Sequence, residues 1–211
     1  MAEVAAALGL ISAIITIIGT IEKIYDTARD AQSLPLAFRE VNQRLPLVQS
    51  TLRIAESQLR SNGSKGTDAA ISKTLEETRV KLEKLREILD RCVPPADASP
   101  FERYVAALRT LGKDHKVETL MTAVLERVQD LANHHAVKGA TREQIDRLQE
   151  AIEAMSKSPP SAPDDLIEAP SAIMNVHSGS GDIYSAEGTA TQNNLKDNAR
   201  QFNATNMTIS G

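Results

Sequence analysis

A chain of 211 residues with three Tyr, three Phe, no Trp and 25% charged residues has room for one aliphatic-cored domain and a tail. From Ser158 onward six acids face two bases, so of the totals of 28 and 24 the body keeps 22 of each and the net charge of −4 sits in the tail. A neutral body without a basic, aromatic platform excludes nucleic acid as an expected partner, and the single Cys92 excludes an intrachain disulfide and suits a reducing compartment.

Residues 4–21 form a run without one charged side chain. As a helix this run reaches ~27 Å, just short of the ~30 Å hydrocarbon core of a bilayer. Stepped at ~100° per residue, it shows a wide aliphatic arc of Val4, Leu8, Leu10, Ile11, Ile14, Ile15, Ile17, Ile18 and Ile21, continued by Ile24 and Tyr25. Ala5, Gly9, Ser12, Thr16, Gly19 and Thr20 gather on a narrow arc opposite. Small residues in such a row let a second helix approach closely, and the hydroxyls can bond a neighbour or a carbonyl one turn back. Two readings follow. One is the central helix of a soluble bundle; the other is a helix that leaves the bundle for a membrane, and the two are compatible as separate states of one molecule. The segment before the run holds Glu3 and no base, which argues against a secretory signal peptide. The expected location is cytoplasmic.

The first helix is expected to run to about Ala31, with Pro35 suited to the first turn of the second. Phe38, Val41, Leu45, Val48, Leu52, Ala55 and Leu59 then repeat at 3-4 spacing, a bundle seam. Pro46 removes the hydrogen bond to the Asn42 carbonyl and is expected to interrupt and kink that rod. After a loop at Asn62-Gly63-Ser64, a third helix carries Ile71, Leu75, Leu82, Leu85 and Leu89 and ends at Pro94-Pro95. Ser99-Pro100-Phe101-Glu102 reads as a capping box opening a short fourth helix with Tyr104, Val105, Leu108 and Leu111 inside, and Gly112 marks a break. Val117, Leu120, Met121, Val124, Val128 and Leu131 line a fifth helix. Thr141-Arg142-Glu143-Gln144 caps a sixth, with Ile145, Leu148, Ile152 and Met155 inside. The expected fold is all-α, a bundle of about six helices over residues 1–157.

The grammar changes after Lys157. Residues 158–171 read as a Pro-rich acidic linker without periodicity. Residues 172–211 are rich in Gly, Asn, Ser and Thr and too polar to fold alone as a compact domain. They hold a degenerate repeat: Gly181 with Ile183 and Tyr184, then Gln192 and Asn193, then Gln201, Phe202 and Asn203, closing on the alternating Met207 and Ile209. Such segments stack in register between chains, with Asn and Gln ladders satisfying one another along a fibril axis. A disordered tail and a β-assembling tail both stay open.

Little in the chain suggests catalysis. Gly112-Lys113 is followed by Asp114, and Gly63-Ser64-Lys65-Gly66-Thr67 has the composition of a phosphate-binding loop without its order. His134 and His135 are adjacent and diverge by ~100° on a helix, so they cannot share a metal. Cys92 has no His in register and reads as an inert thiol. No enzyme, metal site or cofactor is expected.

The blocks Leu34-Pro35-Leu36-Ala37-Phe38-Arg39-Glu40-Val41, Arg44-Leu45-Pro46-Leu47-Val48 and Arg109-Thr110-Leu111-Gly112-Lys113, followed by Val117-Glu118-Thr119-Leu120-Met121, resemble the fungal SesA family, and Ser158-Pro159-Pro160-Ser161 fits the same pattern. The resemblance covers about residues 1–165. It implies the N-terminal domain of fungal NACHT and other NOD-like receptors, or a small partner protein of such a receptor. It also implies kinship with HeLo and HeLo-like bundles, which execute programmed cell death in heterokaryon incompatibility and innate immunity. The function implied is an inducer domain that self-associates when a receptor gathers it, then moves to the plasma membrane and disrupts the lipid with its N-terminal helix. Residues 4–21 stand in the corresponding place. The tail resembles the Gly-Asn-Gln amyloid signalling motifs of that family, with Asp182 where a Gln is expected. The alternative is a soluble, receptor-associated adaptor that acts through protein contacts and never enters lipid.

Overall fold

Among the described residues, the 3-4 spacing of aliphatic residues resolves into seven α-helices and a turn of 3-10 helix, with no strand. The computed structural model describes residues 2–27, 34–62, 69–93, 98–134, 137 and 142–168. In chain order the helices are α1 (Ala2–Thr27), α2 (Leu36–Asn62), α3 (Ala69–Cys92), α4 (Pro100–Leu111), α5 (Val117–Asn133), α6 (Arg142–Lys157) and α7 (Asp164–Glu168), with the 3-10 turn at Lys113–His115. The chain divides into two units, Met1–Glu168 and Ala169–Gly211. The expected β-assembly residues Gly181, Ile183, Tyr184, Gln192, Asn193, Gln201, Phe202, Asn203, Met207 and Ile209 lie in the second, outside the described residues.

The long helices pack on one another through the expected seams. α1 lies chiefly against α3 and also on α2, while α5 contacts α2, α3 and α6. Every predicted seam residue of α2, α3 and α5 is buried. At ~1.5–3 kcal/mol for each large aliphatic side chain removed from water, these rows supply most of the drive to fold. The seams also hold polar members that hydropathy did not reveal. Thr51 and Thr78 are each about 1% exposed, and their hydroxyls donate to Leu47 O at 2.9 Å and Thr74 O at 2.8 Å, one turn back.

Pro46 does not end α2, which continues to Asn62. Pro46 is exposed, so the N–H that it cannot donate to the Asn42 carbonyl is missing on the solvent side of the helix. The capping box of α4 forms as expected: Ser99 Oγ accepts from Glu102 N at 3.2 Å and Glu102 Oε2 accepts from Ser99 N at 2.9 Å, so two orphan donors of the first turn are satisfied together. Gly112 ends that helix with φ of 96° and ψ of 157°, a region open to glycine almost alone. A Cβ added there would meet nothing within 4 Å, so a Gly112→Ala cost is purely conformational. We expect a loss of ~1–3 kcal/mol, read as a lower urea midpoint; an unchanged midpoint would mean that the α4–α5 corner relaxes freely.

Residues 158–168, read from the sequence as part of a linker, lie on the bundle. Ala162 is wholly buried, Ser161 is 3% exposed and Ile167 is 8% exposed. The final stretch forms α7 against α4.

Candidate functional site

α1 has two unlike sides. Ala7, Ile11, Ile14, Ile18, Ile21 and Tyr25 follow a 4-3-4-3-4 spacing, and they are buried together with Ile17. Val4, Leu8, Leu10 and Ile15 flank that seam half-buried. The small-residue arc faces away from the bundle: Ala5, Gly9, Ser12 and Thr16 are exposed, and Gly19 and Thr20 are half-buried. A Cβ built at Gly9 or Gly19 would have no neighbour within 4 Å, so within the bundle this arc packs no helix against itself. Its hydroxyls turn inward on their own helix. Thr16 Oγ1 donates to Ser12 O at 2.9 Å and Thr20 Oγ1 to Thr16 O at 3.0 Å, which leaves those donors satisfied without water.

The outward face of α3 shows what a solvated helix in the same bundle looks like. Arg79 is held between Glu76 at 2.5 Å and Glu83 at 2.6 Å, and Lys73–Glu77, Arg86–Asp90 and Arg91–Glu87 pairs continue the ladder. α1 carries no such pair between Glu3 and Glu22, because that stretch has no charge. Glu3–Asp26 is long and apolar enough to cross a bilayer by length and composition, and only 33% of its apolar window is buried in the bundle. An uncharged outer face on a helix of this length is a candidate contact for a second apolar medium.

The second polar feature is the corner between α4 and α5, where residues 158–168 are tied down. Tyr104, wholly buried, sets its ring edge-on to Phe38 with centroids 4.9 Å apart and planes at 82°. Its hydroxyl lies 2.5 Å from Ser161 Oγ and accepts the N–H of Val117 at 3.2 Å. Val117 opens α5, so its N–H is one of the helix's four orphan donors. Ser161 N donates to Glu118 Oε1 at 3.0 Å. Outside this buried pair, Arg109 Nε donates to Leu166 O at 2.9 Å, Lys116 Nζ meets Asp164 at 2.5 Å and Lys113 Nζ meets Glu168 at 3.1 Å. The Lys116 hydrogen bond holds the Asp164 carboxyl below the usual carboxylate range. None of these ties to residues 158–168 was visible in the sequence, because they join residues 43 to 57 positions apart and obey no local period.

Burial dominates the titration of the core. It pushes the Tyr25 hydroxyl and the Cys92 thiol each up to about 12 and raises Tyr104 as well. The unfolded chain ionises these groups at their ordinary values, ~8.5 for Cys and ~10 for Tyr, while the folded chain keeps their protons. The unfolded state then binds fewer protons, so stability falls as pH rises. We expect flat stability from neutral pH to ~8.5 and a loss of ~1.4 kcal/mol per pH unit for each group engaged above its unfolded value. Urea midpoints at successive alkaline pH values test this, and Cys92→Ala should delay the onset to about pH 10. A midpoint unchanged through pH 11 would contradict the assignment.

The class that the fold defines is an all-α bundle led by a helix without charge over residues 4–21. Residues 11–131 match the family model SesA, described as the N-terminal domain on NACHT_NTPase and P-loop NTPases. The match spans more than half of the chain, and the chain belongs to the SesA family. No curated protein and no solved structure matches it.

Proposed function

We propose that this protein is a non-enzymatic cell-death executioner of the kind that serves fungal NOD-like receptors. The carrying observation is the uncharged stretch of α1 over residues 4–21, where the outer face is as free of charge as the buried one. At rest, on this reading, α1 stays on α2 and α3 in the cytoplasm. A NACHT-type receptor gathers several copies, self-association raises their local concentration, and α1 exchanges protein neighbours for the plasma membrane. Val4, Leu8, Leu10, Ile11, Ile14, Ile15, Ile17, Ile18 and Ile21 then face lipid. Ala5, Gly9, Ser12, Thr16, Gly19 and Thr20 pack helix on helix, the mode that small residues allow in a bilayer. Burial of the same aliphatic side chains favours both states by similar amounts, so a modest bias from clustering decides between them. The tail residues 172–211 supply that bias by stacking as β-segments.

The test is dye release from liposomes by the full chain, dispersed and clustered through a fused inducible dimeriser. Clustering-dependent release together with growth arrest on expression supports the reading. Clustered protein that leaves vesicles intact overturns it.

One observation favours a different reading. Ile11, Ile14, Ile18 and Ile21 are all 0% exposed, which is what a permanent core helix looks like. A soluble adaptor that binds its receptor through the bundle surface would have that core and would neither sediment with liposomes nor arrest growth.

A further inference from the structure

Two Ser-Pro dipeptides occur in the chain, Ser99-Pro100 and Ser158-Pro159, and the structure treats them differently. Ser99 is the N-cap of α4, with its hydroxyl bound to Glu102 on both donor and acceptor sides and Pro100 already helical. Ser158 stands at the exit of α6, its N–H on Met155 O at 3.2 Å. Two exposed prolines follow it outside any helix. Its hydroxyl is directed at the Glu40 carboxylate of α2 and at Ala154 O. That contact joins the end of α6 to α2, and three residues later the buried Ser161 is locked to Tyr104 and Glu118.

We propose that Ser158 is a phosphorylation site for a proline-directed protein kinase, and that its modification releases residues 158–168 from the bundle. Such kinases take a serine followed by proline outside a helix, and Ser158, half-buried at the bend that ends α6, is followed by two exposed prolines. In the transfer the Ser158 Oγ bonds to the γ-phosphorus of ATP as the bond to the bridging oxygen breaks. ADP leaves, and the hydroxyl proton passes to the kinase's base. The product carries a charge of about −1.5 to −2 where the hydroxyl now meets Glu40, and it has lost the O–H that made the contact. Like charges at that distance, with no donor between them, separate. Pro159 and Pro160 are stiff and extended, so a shift at Ser158 is passed along to Ser161 rather than absorbed. Of the nearby cations, Lys157 stands 3.7 Å from Glu153 and Arg44 donates through Nη1 to Glu40 O at 2.8 Å. The release lies on the α2–α6 and α4–α5 side and does not depend on what α1 does.

The full chain is incubated with a proline-directed kinase and ATP, the phosphate is located by peptide mass spectrometry, and amide hydrogen exchange is followed across residues 158–168. One phosphate on Ser158 is expected, absent from Ser158→Ala, with exchange at the Ser161 N–H at least 10-fold faster than in the unmodified chain. In Glu40→Gln, which keeps the shape and removes the repelling charge, phosphorylation should accelerate that exchange less than 3-fold. The proposal is overturned if the folded chain takes no phosphate or takes it on Ser99 alone. It is equally overturned if phosphorylated Ser158 leaves Ser161 protected, the phosphate having settled on Arg44 or Lys157.

Discussion

Aspartates at both Ser12 and Thr16 should abolish vesicle leakage by the clustered chain while leaving the bundle folded. Both positions are exposed in the bundle, so in water the double variant loses one hydroxyl-to-carbonyl bond and at most ~0.7 kcal/mol of helix propensity per site. In a bilayer the same two carboxylates sit near the middle of the apolar run. There each costs ~2.5–3.5 kcal/mol to insert, and at ~1.4 kcal/mol per factor of ten the pair lowers the inserted population more than a thousandfold. Circular dichroism melting and dye release, read on one preparation, separate the terms. The adaptor reading predicts a variant indistinguishable from the parent in both assays, and leakage equal to the parent's would end the membrane reading. Charges placed at Ile14 or Ile18 would not discriminate. Both are wholly buried, so an aspartate there unfolds the bundle before lipid is met.

Tyr104→Ala should be among the most destabilising single changes in the body, by ~3–5 kcal/mol, the usual cost of emptying a buried aromatic site. The ring edge against Phe38 is lost along with the volume. Tyr104→Phe keeps the ring and removes only the hydroxyl, which strands the Val117 N–H and the Ser161 Oγ. Leaving buried polar groups unpaired costs ~1–3 kcal/mol, or roughly 2–4 °C of melting temperature per kcal/mol in a domain of this size. Ser161→Ala leaves Tyr104 still accepting from Val117 and should cost less. The two hydroxyls touch, so a double-mutant cycle should return a coupling of ~0.5–3 kcal/mol. Zero coupling, with a Tyr104→Phe melt identical to the parent's, would show that residues 158–168 are not held through this pair.

How far the sequence could be read depends on the range of the force involved. Helix seams are local: Leu45, Val48 and Leu52 must share a face at 3.6 residues per turn whatever they pack on. The capping box at Ser99 is likewise closed within four residues. Thr51 and Thr78 were passed over because a hydroxyl scores as polar until its bond to the carbonyl one turn back is seen. Pro46 stays inside α2 because one missing hydrogen bond on a solvent-facing turn costs less than the packing on either side of it gains.

By itself the sequence determined that the body is helical, which residues of each rod turn inward, and that residues 4–21 of the first rod carry no charge on any side. Periodicity and composition are properties of neighbouring residues, and no partner is needed to express them. The tertiary structure alone decided which arc of α1 is covered, setting the isoleucines on α2 and α3 and leaving Gly9, Ser12 and Thr16 outside. It alone turned residues 158–168 from an apparent linker into part of the body. That choice rests on Tyr104, Glu118, Lys116 and Arg109, four side chains from distant sequence that converge only once α4 and α5 have formed their corner.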